Sequence, residues 1–239
     1  MKVLIIIPAY NEEKNILNVC KNIEKCKEKY DYIVINDGSK DNTEKVLSDN
    51  NINHITLIQN LGIGGAVQTG YQYAYENGYD IAVQFDGDGQ HDINYVKNIC
   101  KPIIEGKANM CIGTRYLEKG SSKFQSTFMR RFGKNIISLI IKICCKTKIT
   151  DPTSGFRAID KEIIEVFANN YPTEYPEPES TVEILLRDYN VEEVPVSMNE
   201  RQGGKSSINM WKSVDYMFKV VIAILIDSIG IKSKRRKEK

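Results

Sequence analysis

Apolar and polar positions come in blocks along this chain. Val3-Leu4-Ile5-Ile6-Ile7 is an unbroken apolar run ended by Pro8; Ile16, Val19, Cys20, Ile23 and Cys26 then recur at helical spacing, and 32–35 is apolar again. An unbroken run fits a strand buried on both faces, and the helical period between runs fits a helix with one face on the sheet. The same alternation predicts helices over 41–47 and 64–75 and strands over 54–58, 81–85 and 110–112. The first half therefore reads as βαβα, an α/β fold with a mostly parallel central sheet flanked by helices. Further on, helices are expected at 136–143, 180–189 and 211–231. There is no internal repeat, Pro/Gly linker or low-complexity segment, so the chain divides into one domain over 1–210 and an appended helix and tail over 211–239.

Each strand of the first half runs out into polar residues. The first opens into Pro8-Ala9-Tyr10-Asn11-Glu12, the second into Asn36-Asp37-Gly38-Ser39, the third into Asn60-Leu61-Gly62-Ile63-Gly64-Gly65-Ala66, and 81–85 into Asp86-Gly87-Asp88-Gly89-Gln90-His91-Asp92. In a parallel sheet these loops share the carboxyl edge, where open α/β folds bind ligands. Asp86 and Asp88 set two carboxylates one residue apart, between glycines that let a diphosphate approach the backbone. Hard oxygen donors of this kind suit Mg2+ or Mn2+ and a phosphorylated substrate; an ordinary acidic Asp-Gly turn is the competing explanation. Asp37 can accept hydrogen bonds from a base or ribose, and Tyr10 offers a ring against a base. The loop through Gly64 leads a helix whose N-terminus favours phosphate. It lacks the full dinucleotide fingerprint, however, and glycine there is also explained by tight packing.

Composition narrows the class. With 239 residues, 41% hydrophobic and 27% charged, the chain can bury one substantial core. A formal charge of +2 is too small to indicate a nucleic-acid partner. The basic residues are unevenly placed, with Lys232, Lys234, Arg235, Arg236, Lys237 and Lys239 crowded at the C-terminus, a tail suited to anionic lipid. Six cysteines show no Cys-x-x-Cys pair beside only two histidines, so they read as buried thiols in a reducing compartment. The first apolar run is too short for a secretory signal and is better taken as the first strand.

The loop motifs, together with Gly113-Thr114-Arg115, occur in the order and spacing of family-2 glycosyltransferases of the Rossmann-like GT-A fold. The chain resembles most the dolichyl- and polyprenyl-phosphate sugar synthases. The resemblance continues through Asp151-Pro152-Thr153-Ser154-Gly155-Phe156-Arg157 and Arg201-Gln202-Gly203-Gly204-Lys205-Ser206-Ser207 and spans residues 2–210. It implies that the loops carrying Pro8, Tyr10, Glu12 and Asp37 hold the nucleotide, while Asp86, Asp88 and Gln90 meet the metal and the donor diphosphate. Arg115, Arg131 and Arg201 are the basic groups expected around the phosphates, since the guanidinium fork suits them. Arg115 and Arg201 join Asp88 as catalytic candidates, with Arg201 in a glycine-rich segment able to close over the donor. Arg131 is assigned toward the acceptor, the alternative being a solvated helix face beside Arg130 and Lys134. The implied reaction is inverting, metal-dependent transfer of a sugar from a nucleotide diphosphate to polyprenyl (undecaprenyl) phosphate at the cytoplasmic membrane face. A phosphate acceptor, with its second pKa of about 6, arrives ionised and needs no strong base, whereas a sugar-hydroxyl acceptor would need one.

Tyr175-Pro176-Glu177-Pro178-Glu179 departs from the eukaryotic dolichol enzymes and looks like a subgroup found among bacterial cell-surface polysaccharide enzymes. That departure weakens the transfer of mannose or dolichol as specific substrates. Glu177 and Glu179 are expected near the acceptor, touching sugar hydroxyls or acting as a base, or else forming a stiff acidic loop ahead of the 180–189 helix. Over 211–231, Val214, Met217, Phe218, Val221, Ile222, Leu225 and Ile229 recur at helical spacing, yet only seven uncharged residues separate Lys219 from Asp227. A membrane span needs ~20 predominantly apolar residues. An amphipathic interfacial helix anchored by Trp211 and followed by the basic tail fits better, with 136–143 docked beside it. The alternatives for this pair are core packing or an interface with a second copy or a small membrane protein. A sugar-1-phosphate nucleotidyltransferase would carry a basic, glycine-rich loop after the first strand, and a non-catalytic membrane module would leave Asp86 and Asp88 without a task.

Overall fold

The computed structural model describes residues 1–116, 128–198, 217–226 and 228–230. Seven strands, β1 (Val3–Ala9), β2 (Asp31–Asn36), β3 (His54–Thr56), β4 (Ile81–Gln84), β5 (Met110–Thr114), β6 (Arg157–Asp160) and β7 (Val191–Pro195), form one sheet in the order β3-β2-β1-β4-β6-β5-β7. β1 runs parallel to β2 and β4, β2 to β3, and β5 to β7. β6 is antiparallel to both its neighbours, β4 and β5. The βαβα alternation expected from the first half is present, with β3 shorter and β5 longer than the apolar runs suggest.

The helices are α1 (Ile16–Glu24), α2 (Thr43–Asp49), α3 (Gly62–Glu76), α4 (Val96–Ile104), α5 (Phe128–Cys145), α6 (Lys161–Asn169) and α7 (Pro176–Leu186). They cover both faces. One core packs α1 and α4 against Ile5, Ile7, Val34, Ile81 and Val83; the other packs α3, α6 and α7 against Leu4, Ile6, Ile33, Ile35 and Ala82. Leu4, Ile5, Ile6 and Ile7 are all fully buried, as a two-faced strand requires, and α1 buries Ile16, Val19, Cys20 and Ile23 on its sheet side. Each such side chain contributes ~1.5–3 kcal/mol on removal from water. The six cysteines are free thiols. Burial pushes Cys20 and Cys100 up to about 12, which keeps them protonated and unreactive.

Two elements differ from the sequence expectation. Pro-Glu-Pro-Glu is the first turn of α7 rather than a loop before a helix at 180–189. The first N–H groups of a helix have no partner within it, so proline costs nothing there, and Glu177 and Glu179 sit favourably at the positive end of the helix dipole. The second difference is in the C-terminal helix, described at 217–226 and 228–230. Its protein-facing residues are Val220 and Ile224, fully buried in one cluster with Ile137 and Ile141 of α5. Gly133 of α5 lies so close to Met217 that a β-carbon would come within 2.3 Å of its sulfur. Phe218, Ile222, Leu225 and Ile229 of the expected stripe are exposed, as are Ile226 and, on α5, Phe132, Leu139 and Ile143. The two helices thus dock by one apolar face and present another outward. No described helix is long and apolar enough to cross a membrane.

Glu44 of α2 braces the sheet edge. It accepts hydrogen bonds from the Thr56 hydroxyl and, at 2.9 Å, from Asn36 Nδ2, and lies 3.1 Å from His54 Nε2. These partners, Thr56 foremost, pull its pKa from 4.5 down to about 2. A carboxyl depressed on folding stabilises the protein above its unfolded pKa, and that contribution disappears as pH falls through the folded value. Glu44→Gln should therefore lower the urea midpoint at pH 7 but much less at pH 2. An equal deficit at both pH values would remove the ionic role.

Candidate active site

The chain traverses β1, β2 and β3 outward in one direction and then returns to place β4 on the other side of β1. That reversal opens a crevice beyond the carboxyl ends of β1 and β4, the position at which open α/β sheets bind ligands. A cleft of about 510 Å³ lies there, lined by Pro8, Ala9, Tyr10 and Glu12 after β1, Asp37 after β2, Asn60, Gly62, Ile63 and Ala66 at the start of α3, and Asp86, Gly87 and Asp88 after β4. Thr153, Gly155 and Glu177 complete it from the second half of the chain. The sequence-predicted Pro8, Tyr10, Glu12, Asp37, Asp86, Asp88 and Glu177 are therefore brought together around one space.

The acidic turn is held from behind. The Asp86 N–H donates to His91 Nδ1 at 3.0 Å, and His91 Nε2 lies 3.5 Å from the Asp86 carboxylate. With Nδ1 accepting, the ring proton belongs on Nε2, facing that carboxylate. His91 is stacked on Phe156, 4.7 Å between centroids, with Phe85 edge-on at 5.3 Å. Burial, opposed by the charge of Asp88, lowers its pKa to about 4, so the ring is neutral. Asp88 is buried, and its Oδ1 accepts from the Gln90 N–H at 3.0 Å across a turn in which Gly89 takes φ +79°. Gln90 is partly exposed and reaches Asp88 through its backbone.

On the other side of the cleft, Asp37 ties the start of α3 in place. Its Oδ1 accepts from the Leu61 N–H at 2.7 Å and its Oδ2 from Asn60 Nδ2 at 2.9 Å, while burial raises its pKa against the pull of the Leu61 and Gly62 N–H groups. Glu12 Oε2 accepts from Asn15 Nδ2 at 2.7 Å, and Tyr10 is 43% exposed, leaving its ring open to a flat ligand. Gly64 does not line the cleft. A β-carbon on it would lie 2.4 Å from the Pro172 carbonyl oxygen, so close packing accounts for this glycine, and Gly62 and Ile63 face the space instead.

The Glycosyl transferase family 2 profile matches residues 4–167. The chain belongs to that family. It is 35% identical over 215 residues to UDP-N-acetylglucosamine–dolichyl-phosphate N-acetylglucosaminyltransferase of Methanococcus voltae, covering 81% of this chain and 84% of the relative. It is 26% identical over 231 residues to polyprenol monophosphomannose synthase of Mycolicibacterium smegmatis, covering 92% and 85%. Glucosyl-3-phosphoglycerate synthase of Mycobacterium tuberculosis, solved with Mn2+, UDP-glucose and phosphoglyceric acid, shares the fold with a TM-score of 0.68 over 95% of this chain and 79% of that one, at 16% identity. The fold is GT-A, and the protein is a glycosyltransferase.

The basic groups of this family-2 enzyme are organised by Asp151, which opens the Asp151–Arg157 motif, and by Glu193, which the sequence did not single out. Arg115, just after β5, makes a two-pronged contact with Asp151: Nε donates to Oδ2 at 2.7 Å and Nη2 to Oδ1 at 2.8 Å. Asp151 is fully buried, and its loop is fixed by Glu193 of β7, which accepts from the Thr150 and Asp151 N–H groups, each at 2.8 Å. Lys134 of α5 donates to the Thr150 carbonyl at 2.9 Å and lies 4.2 Å from the Tyr116 ring centroid. Burial lowers its pKa, with Asp151 and Glu193 opposing. Lys134 thus faces inward beside Arg115, whereas Arg131 is exposed on α5, as the solvated-face alternative has it. Arg201, Trp211 and the basic tail lie outside the described residues. Asp151 stood in a sequence motif without an assigned role, and Glu193, in the middle of β7, is a carboxylate that no sequence signal selects.

Proposed function

We propose that this glycosyltransferase moves a sugar from a nucleotide diphosphate to a polyprenyl phosphate, undecaprenyl phosphate in a bacterial setting, with inversion and with Mg2+ or Mn2+ at the donor diphosphate. The observation that carries the reading is the cleft itself. One side offers Tyr10, Asp37 and Asn60 to a nucleoside and the β4 end offers two carboxylates, while Arg115 and Lys134 stand outside its lining, held on the Thr150–Asp151 loop. The named relatives that use dolichyl and polyprenol phosphates support the acceptor. The acceptor phosphate oxygen bonds to the anomeric carbon as the bond to the diphosphate oxygen breaks, and the nucleoside diphosphate leaves with the electron pair.

The residues present fit a divalent ion that the substrate helps to hold. Among the described residues no group of three or more His, Cys, Asp or Glu could hold a metal alone. Mg2+ and Mn2+ accept one or two carboxylates completed by phosphate oxygens and water, which Asp86 and Asp88, with Gln90 beside them, would provide. When bound, such an ion neutralises charge on the departing diphosphate. Asp86 and Asp88 orient the donor, Tyr10 covers a base, and Arg201 is the arginine assigned to closure over it. Nucleotide release from a panel of sugar nucleotides, with and without undecaprenyl phosphate, tests the reading. Release that requires the lipid phosphate supports it, and release that requires a sugar hydroxyl in its place overturns it.

The acceptor places the enzyme peripherally at the cytoplasmic membrane face, in the synthesis of cell-surface polysaccharide. The outward faces of α5 and the C-terminal helix supply apolar area for lipid, and each Lys or Arg of the tail adds up to ~1 kcal/mol at an anionic surface. Replacing Phe218, Ile222 and Ile226 with Ser, all exposed in the structure, should release the protein from anionic liposomes even at low salt. Deleting residues 233–239 should weaken binding and reduce its salt sensitivity. If the triple variant pellets with liposomes like wild type, this face meets something other than lipid.

A further inference from the structure

Beside Glu12, Asp37, Asp86 and Asp88, the cleft holds a further carboxylate, Glu177, whose task the nucleotide, metal and phosphate assignments leave open. It lines the same space as Asp86 and Asp88, yet the three form no group that could hold a metal. An anionic phosphate would be repelled by a carboxylate in this position. The nucleoside belongs at the far side, with Tyr10, Asp37 and Asn60. What remains is an uncharged, hydroxyl-bearing group, and the donor sugar is the part of the substrate that has one.

A second observation points to a ligand at the same place. Gln84, at the end of β4, is 1% exposed, and among the described residues neither its Nε2 nor its Oε1 has a hydrogen-bond partner. It lies near enough to Glu177 to oppose the rise that burial imposes on that carboxyl, but outside bonding geometry. A buried primary amide left unpaired is costly, and it offers both donors and an acceptor. Gly155 borders the cleft between these groups. A β-carbon there would lie 3.1 Å from Gln84 Nε2 and 3.2 and 3.3 Å from the two Asp86 oxygens, so only bare backbone fits between the cleft and the amide, which lies directly behind its wall. Beneath it, Arg157 is 1% exposed and donates to the Ser154 carbonyl at 2.8 Å and to Ser180 Oγ at 2.9 Å, with no carboxylate at ion-pair distance among the described residues. Burial holds the Glu177 pKa above its ordinary value, and the charge of Arg157 opposes that rise.

We infer that Glu177 and Gln84 form the sugar-reading wall of the donor site, that hydroxyls of an uncharged sugar donate to Glu177 and pair with the Gln84 amide, and that a uronic acid is rejected there. This rests on the cleft being a nucleotide-sugar site, as proposed above. A carboxylate on the sugar would face Glu177 with Asp86 alongside, and such like-charge contact disfavours binding.

Isothermal titration of the full chain in Mn2+ with UDP, GDP, UDP-glucose, UDP-N-acetylglucosamine, GDP-mannose and UDP-glucuronate tests it. Wild type should bind at least one uncharged sugar nucleotide and bind UDP-glucuronate more weakly than UDP-glucose. Glu177→Gln should leave the affinity for the bare nucleotide diphosphate unchanged, weaken the preferred sugar nucleotide by roughly ten-fold or more, and narrow the gap to UDP-glucuronate. Gln84→Met, of similar size, should weaken the sugar nucleotide alone, its fold being checked by thermal melting. If the sugar nucleotides keep wild-type affinity in Glu177→Gln, or none of them binds although UDP or GDP does, the inference is overturned while the nucleotide site stands. If neither nucleotide diphosphate binds wild type, the proposed function falls and the inference with it.

Discussion

Asp88→Asn should lower metal-dependent turnover by roughly 10²–10³-fold, the loss typical of deleting one group aimed at charge developing in a transition state. The fold should survive. Asp88 is buried with Oδ1 accepting from the Gln90 N–H, and an asparagine Oδ1 can keep that bond in the same shape. What the substitution removes is the negative charge beside the donor diphosphate. Circular dichroism and melting temperature should match wild type while nucleotide release collapses and added Mn2+ fails to restore it. Asp86→Asn should act differently, because Asp86 is partly exposed and lines the cleft next to the space assigned to the donor sugar. It should weaken donor binding as well as turnover. Undiminished release in Asp88→Asn would reject the metal assignment, and unchanged donor affinity in Asp86→Asn would leave Asp86 a structural role alone.

The loops on the β1–β4 edge were legible because strand ends in a parallel sheet are marked twice, by where an apolar run stops and by the glycines and carboxylates that follow. Asp37, Asp86 and Asp88 stand at such ends, and each lines the cleft. Gly64 was misleading for the same reason: a glycine-rich helix start has one signature whether it admits a phosphate or, as here, the backbone at Pro172. Beyond β5 the pattern weakens. β6 is a four-residue strand, Arg157–Asp160, that runs against its neighbours and carries a buried arginine in place of an apolar residue, so no periodicity announces it. The start of α7 was hidden by its two prolines, which mark loops in most settings and here exploit the unpartnered N–H groups of a first turn. In the C-terminal helix the apolar positions were visible, but not which of them turn inward. That depends on α5, where Ile137 and Ile141 receive Val220 and Ile224.

Arg115→Ala should destabilise the protein by about 3–5 kcal/mol, the range for removing one partner of a buried ion pair. Asp151 is fully buried, and Arg115 supplies its two short side-chain hydrogen bonds, leaving after truncation, among the described residues, only the backbone N–H of residue 115 at 3.3 Å. A carboxylate in that position cannot be rehydrated without opening the loop that Glu193 pins through Thr150 and Asp151. Replacing both partners removes the stranded charge, so Arg115→Ala with Asp151→Ala should be less than additive and close to the Asp151→Ala variant alone. Urea unfolding of the four proteins gives the cycle, provided the slopes agree. Turnover separates the structural from the chemical share. If Arg115 only supports Asp151, the double variant should recover activity along with stability. If it also holds phosphate, activity stays low in a stable protein. A stability loss below about 1 kcal/mol in Arg115→Ala, the range of exposed pairs, would mean that Asp151 finds another partner and that the pair does not organise this side of the site.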